Sequence, residues 1–120
     1  MTEQRLIVEM GMGNDLHGQD YTKAAARAIE DALRHSSLQI FGETGLDAAD
    51  MRVDVTVGVQ NPDRVDCDAL MGKLPHGKVS VRAVSGGLDI AGYDGRPIVI
   101  ASASVQAFLP KQSGWRIRSD

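Results

Sequence analysis

The residues best equipped for chemistry cluster near the N-terminus, in Gly11-Met12-Gly13-Asn14-Asp15-Leu16-His17-Gly18. Asp15 and His17 stand two apart, and in an extended segment such side chains point the same way. A carboxylate beside an imidazole can fix the tautomer of a general acid or base. It can supply half of a metal site, or hold a turn shut by accepting backbone N–H bonds. The flanking glycines, with Gln19, Asp20 and Lys23 close behind, favour a functional loop over a plain turn. A strand, a glycine loop and a helix start also aim backbone N–H groups at an anion. Lys23 in the first helical turn opposes the helix dipole, a placement that suits an anionic ligand. The expectation is a site for a small polar or anionic molecule. His17 acts as general acid or base, Asp15 orients it, and Lys23 with backbone N–H groups holds the anion. Gly11, Gly13, Asn14, Gly18, Gln19 and Asp20 line the site.

Ser85-Gly86-Gly87 forms a second candidate, an oxyanion-binding turn with Ser85 as nucleophile or donor and Gly86 and Gly87 as ligand-binding residues. Taken alone, such a run is more often the end of a strand. Nucleotide motifs are missing: Leu16 stands where a dinucleotide fingerprint needs its third glycine, and no GxxxxGK[ST] run exists. A zinc site would need a third ligand from His35, Cys67 or His76. His35 lies roughly 20 Å away along the helix, His76 sits in a Pro-Gly turn, and Cys67 reads as a small buried apolar residue. No metal site is complete within one chain, and no cofactor is expected. Arg52, Asp54 and Arg82 read as surface or interface charges.

These residues need elements to position them. Leu6 to Met10 reads as a short strand that stops at glycine, followed by a loop over residues 11 to 19. Asp20 suits a helix N-cap. Tyr21, Ala24, Ala25, Ala28, Ile29, Ala32 and Leu33 then recur at helical spacing, with Arg27–Asp31 and Glu30–Arg34 as i,i+4 pairs. The helix fades at His35-Ser36-Ser37, and residues 38 to 50 connect onward. Met51, Val53, Val55, Val57 and Val59 alternate with polar residues or glycine, the clearest strand in the chain. Pro62 and Asp63 open a helix over about 63 to 73, and Pro75-His76-Gly77 breaks it. Lys78 to Val84 is a third strand. A loop runs through Tyr93-Asp94-Gly95, and Pro97 to Leu109 holds a fourth strand. The tail, residues 110 to 120, is polar apart from Trp115 and Ile117, and is read as mobile or docked on a neighbour.

The predicted fold is thus α+β: a single domain over 1–120, ordered β-α-β-α-β-β, with two helices on one face of a four-stranded sheet. The alternation places the helices over the valine face and leaves Arg52, Asp54, Thr56, Ser80, Arg82, Ser102 and Ser104 on the other. Such a face suits packing against other subunits. The 120 residues fit one core, and the net charge of −3 gives no reason to expect nucleic acid or an anionic membrane as partner. No apolar run approaches a membrane span, and the N-terminus is not a signal peptide. One cysteine allows no intrachain disulfide, which fits a cytoplasmic protein.

The run GMGNDLHG, continuing QDYTKAAARAIEDAL, resembles a small family of uncharacterised proteins of bacteria and plants. Its hallmark is G-x-G-x-D-x-H-G, matched by Gly11, Gly13, Asp15, His17 and Gly18. The resemblance spans the chain but brings no activity. The element order resembles the chorismate-mutase-like arrangement, which implies a homo-oligomer, a trimer above all, with ligand sites between subunits. The ring-opening amidohydrolases look similar in architecture and use serine–lysine pairs, for which Ser85 and Lys23 would be the counterpart. The D-x-H pair is similar to the zinc-binding segment of a cyclodiphosphate synthase, whose remaining ligand has no match here. Three functions compete: an enzyme using His17, a non-catalytic ligand-binding or regulatory oligomer, and a structural oligomer clasped by the loop.

Overall fold

The structure is a computed structural model that describes residues 3–34, 50–74 and 77–110. The elements are β1 (Glu3–Asp15), α1 (Tyr21–Arg34), β2 (Arg52–Val59), a 3-10 turn (Pro62–Arg64), α2 (Cys67–Met71), β3 (Lys78–Ser85), β4 (Leu88–Ala91) and β5 (Pro97–Pro110). Among the described residues five strands form one sheet ordered β1-β5-β2-β3, with β4 also paired to β5. β5 is central. It runs antiparallel to β1 from Glu3↔Pro110 to Asp15↔Val99, with a register shift between Arg5 and Ile7. On its other side it pairs antiparallel with β2 over Arg52–Gly58 and, beyond that, with β4 over Leu88–Ala91. β2 and β3 are parallel. The chain is a mixed α+β fold.

Three expectations change. β1 continues through the glycines to Asp15, so residues 11 to 15 are strand rather than loop. Among the described residues the sheet has five strands where four were expected, because Leu88–Ala91 folds back on β5 as a hairpin. The helix expected over 63 to 73 divides into the 3-10 turn and the five-residue α2. Between them Val65 is extended, and Asp66 caps α2 by accepting from the Ala69 N–H at 3.1 Å. His35, His76 and the tail from residue 111 lie outside the described residues.

Burial follows the alternation. Val53, Val55, Val57 and Val59 of β2 and Val99, Ala101, Ala103, Val105, Ala107 and Leu109 of β5 are buried under the helices. Ile29 and Ala24, Ala25, Ala28 and Ala32 of α1, with Leu70 of α2, close the core from above. Leaving exposed, these side chains would forfeit roughly 25 cal/mol per Å² of apolar surface, so the alternation alone selects the buried face. The polar set of β2, β3 and β5 faces away, as the alternation predicts. Glu30 binds Lys73 (2.9 Å) instead of pairing along its own helix, tying α1 to the segment after α2.

α1 also reaches around the outer edge of β1. Asp31 accepts the Met12 N–H at 3.0 Å, and Arg27 donates to the Asn14 carbonyl at 2.6 Å. Both backbone groups point away from β5, where an incoming strand would bond them.

Candidate functional site

Gly11 and Gly13 lie directly beneath α1. A Cβ on Gly11 would land on the backbone of Ala28 and Ala32, and one on Gly13 would lie 2.5 Å from the Ala24 carbonyl oxygen. The glycines and the helical alanines are therefore one device. Removing side chains from both partners lets a helix rest on a strand almost backbone to backbone. Neither glycine cradles an anion here, because helix fills the space above it.

Asp15 ends β1 on the same face and is 4% exposed. Its Oδ2 accepts the Gly18 N–H at 3.1 Å and the Asp20 N–H at 2.9 Å. Lys23 and Arg27 stand 3.9 and 3.7 Å from its Oδ1. Asp20 in turn accepts the Lys23 N–H at 3.1 Å. Carboxylates already satisfy N–H groups in the loop and the first helical turn, so the helix start is furnished with its own anions. Asp15 is the lock of the loop. Gln19, at φ 51, takes the left-handed turn that delivers the chain to Asp20.

His17 points elsewhere. It is exposed, and no hydrogen bond joins it to Asp15 among the described residues. The strand ends at Asp15, so the same-side rule for alternating residues no longer holds at His17. The imidazole instead lines a cleft of about 310 Å³ with Leu16, Gly92, Tyr93, Asp94 and Ile98. The cleft's far wall is the β4–β5 turn. There Asp94 accepts the Arg96 backbone N–H at 3.0 Å and the Arg96 Nε at 3.1 Å. These bonds, the backbone one foremost, hold the Asp94 carboxyl below its usual range. Tyr93 is fully exposed at the rim. The sequence read this turn as a plain loop; its Tyr-Asp pair becomes visible as a site wall only through the pairing of β4 with β5.

The other candidates separate. Ser85 and Gly86 line a groove of about 630 Å³ on the open sheet face, with Met10, Met12, Val84 and Ser102. Lys23 stands on α1, 3.9 Å from Asp15, whereas Ser85 ends β3 opposite Val59 of β2. The Gly86 N–H is already bonded to the Val59 carbonyl (2.9 Å), while the Gly86 and Gly87 carbonyls accept Gln60 Nε2 at 3.1 Å each. The glycines let the chain cross past Gly58: a Cβ on Gly86 would sit 3.1 Å from its Cα. Among the described residues no group of three or more His, Cys, Asp or Glu is arranged to hold a metal.

A further cluster escaped the sequence. Tyr21, buried at the start of α1, donates from its hydroxyl to Asp89 of β4 at 2.5 Å. Arg64 lies over its ring, 5.2 Å from the centroid. The bond to Asp89, followed by burial, raises the phenol's pKa above 10.0. Partners 68 residues apart leave no local signal.

A family model described as a conserved hypothetical protein, Lin0512, matches residues 5–107. The chain belongs to the Lin0512 family. An uncharacterised family is what the N-terminal run suggested. A crystal structure of an FtsZ-like protein of unknown function from Nostoc punctiforme PCC 73102 is 33% identical to the Lin0512 chain, with a TM-score of 0.82. The match covers 92% of this chain and 99% of that one. Nothing among curated proteins matches. Among the described residues, no helix is long and apolar enough to cross a membrane.

Proposed function

We propose that this Lin0512 protein binds a small polar molecule in the cleft between the Leu16-His17 bend and the β4–β5 turn, with His17 as the group that exchanges protons with it. One observation supports this: Asp15 is consumed in holding the loop, which leaves His17 as a presented imidazole facing Tyr93 and Asp94. Imidazole changes charge near neutral pH, so it can give or take a proton where a fixed ion cannot. Leu16, Tyr93 and Ile98 supply apolar contact and Asp94 an acceptor, the mixture a polar ligand needs. The ligand lies outside the helix start, where Asp15 and Asp20 would repel an anion. A cytoplasmic setting, with Cys67 as a thiol, fits this role.

A screen of polar metabolites by thermal shift tests it, since a ligand that binds only the folded chain raises its melting temperature. At least one compound is expected to stabilise the wild type and to lose that effect in both His17→Asn and Tyr93→Ala. Compounds that stabilise the variants equally would place binding elsewhere and end the proposal. The serine–lysine alternative requires Ser85 and Lys23 to act as a pair. It predicts that Ser85→Ala abolishes hydrolysis of a cyclic amide, whereas the cleft reading predicts no effect.

A further inference from the structure

The two walls of the His17 cleft leave the sheet from a single row. Asp15 of β1 and Asp89 of β4 both stand opposite Val99 of β5, one on each side. Residues directly opposite in an antiparallel pair share a face. Both carboxylates therefore lie on the side of buried Val99, under the start of α1. β1 and β4 are each antiparallel to β5, so they run in the same direction. Two residues past the row the chain of β1 has reached His17, and β4 has reached Ala91, next to the Gly92-Tyr93-Asp94 turn.

The run into α1 holds both ends of this row. Asp15 accepts the Gly18 and Asp20 N–H groups at 3.1 and 2.9 Å, which fixes the bend that carries His17. Asp89 accepts the Tyr21 hydroxyl at 2.5 Å, the length of a charge-assisted O–H···O⁻ bond. The two clamps differ in how much else supports them. Asp15 ends a strand of 13 residues, whereas β4 has four and none of them is buried. Beside the Tyr21 bond stand the short ladder to β5 and the Gln60 amide, which grips the Gly86 and Gly87 carbonyls before β4 begins. So short a hairpin is marginal by itself.

We infer that Tyr21 is a positioning residue for the cleft: its bond to Asp89 latches the β4–β5 hairpin to α1 and sets the Gly92-Tyr93-Asp94 wall against His17. Tyr21 does not line the cleft and acts through Asp89. Its ring is 7% exposed beneath the Arg64 guanidinium, so the hydroxyl is presented from a fixed base. Latched, the wall is formed before a ligand arrives. Unlatched, a ligand has to order the hairpin as it binds, and affinity falls. This inference rests on the cleft as the binding site, but the latch is a property of the free protein.

NMR of the full chain without ligand tests it, in Tyr21→Phe, Asp89→Ala and the double variant. Tyr21→Phe deletes one oxygen and keeps the ring. In each single variant, hydrogen exchange at the Leu88–Ala91 amides that bond to β5 is expected to quicken about tenfold or more. The Val55 and Val105 amides, in the β2–β5 ladder, mark global opening and are expected to change less. The double variant should exchange no faster than the faster single one, because both remove the same bond. The imidazole C2 proton of His17, identified by its loss in His17→Asn, is expected to shift in the same variants. A loss of stability alone would leave that signal in place. Local quickening with a moved His17 signal supports the latch. Exchange along β4 that quickens no more than at Val55 and Val105, or a His17 signal that stays put in both single variants, overturns it. No ligand enters these measurements, so their outcome is separate from that of the thermal-shift screen, which decides whether the cleft binds.

Discussion

A single methyl group measures how closely α1 rests on β1. Gly13→Ala forces a Cβ into the backbone of α1, so unfolding in urea is expected to show a loss of about 3 kcal/mol or more. Gly72→Ala is the matched control. Nothing lies within 4 Å of the added carbon, and its backbone is already helical at φ −67, so stability holds or rises slightly. Asp15 gives a second residue-level expectation. Asp15→Asn keeps an oxygen for Gly18 and Asp20 but turns an amide toward Lys23 and Arg27. The loss is about 1–3 kcal/mol, and hydrogen exchange at the Gly18 and Asp20 amides accelerates. The importance of Gly11, Gly13 and Asp15 was legible in the sequence, but their work was not. A glycine that admits a ligand and a glycine that admits a helix look alike until the helix is in place. An Asp-x-His pair likewise looks coupled until the strand is seen to end between them.

At the scale of elements, long periodic segments were readable and short ones were not. β2 and α1 carry their patterns over many residues, so burial selects one reading. β4 spans four residues and none of them is buried, so the alternation of Leu88 and Ile90 had no core to declare itself against. α2 is one turn capped by Asp66, and its neighbour is a 3-10 turn started by Pro62. The two together imitate a single helix in sequence. The bond between Tyr21 and Asp89 fastens β4 to α1 and makes that union sensitive to alkali. The folded pKa of Tyr21 lies above its free value of 10.0, so the stabilisation is complete below pH 10 and fades as pH rises through the folded pKa. In a Tyr93→Phe background, where Tyr21 is the remaining tyrosine, the tyrosinate absorbance should appear above pH 10. Adding Asp89→Asn should draw its midpoint downward. An unmoved midpoint would remove Asp89 as the cause.

For the whole molecule, the described residues place two helices on one side of a five-stranded sheet and leave its other side exposed among them. The sequence disclosed the polar half of that side, because Arg52, Asp54, Ser80 and Arg82 alternate with buried residues. It concealed the apolar half, since Met10 and Met12 interleave with glycines and Leu88 and Ile90 belong to the unseen strand.

The reach of Asp31 and Arg27 over the rim of β1 bears on the geometry of growth. A strand edge left open invites addition of like strands without limit, and sheets that extend this way end as fibres. Here the acceptor and donor that a newcomer would seek, at Met12 and Asn14, are already taken by the molecule's own helix. The rim of β1 is thereby closed to strand addition.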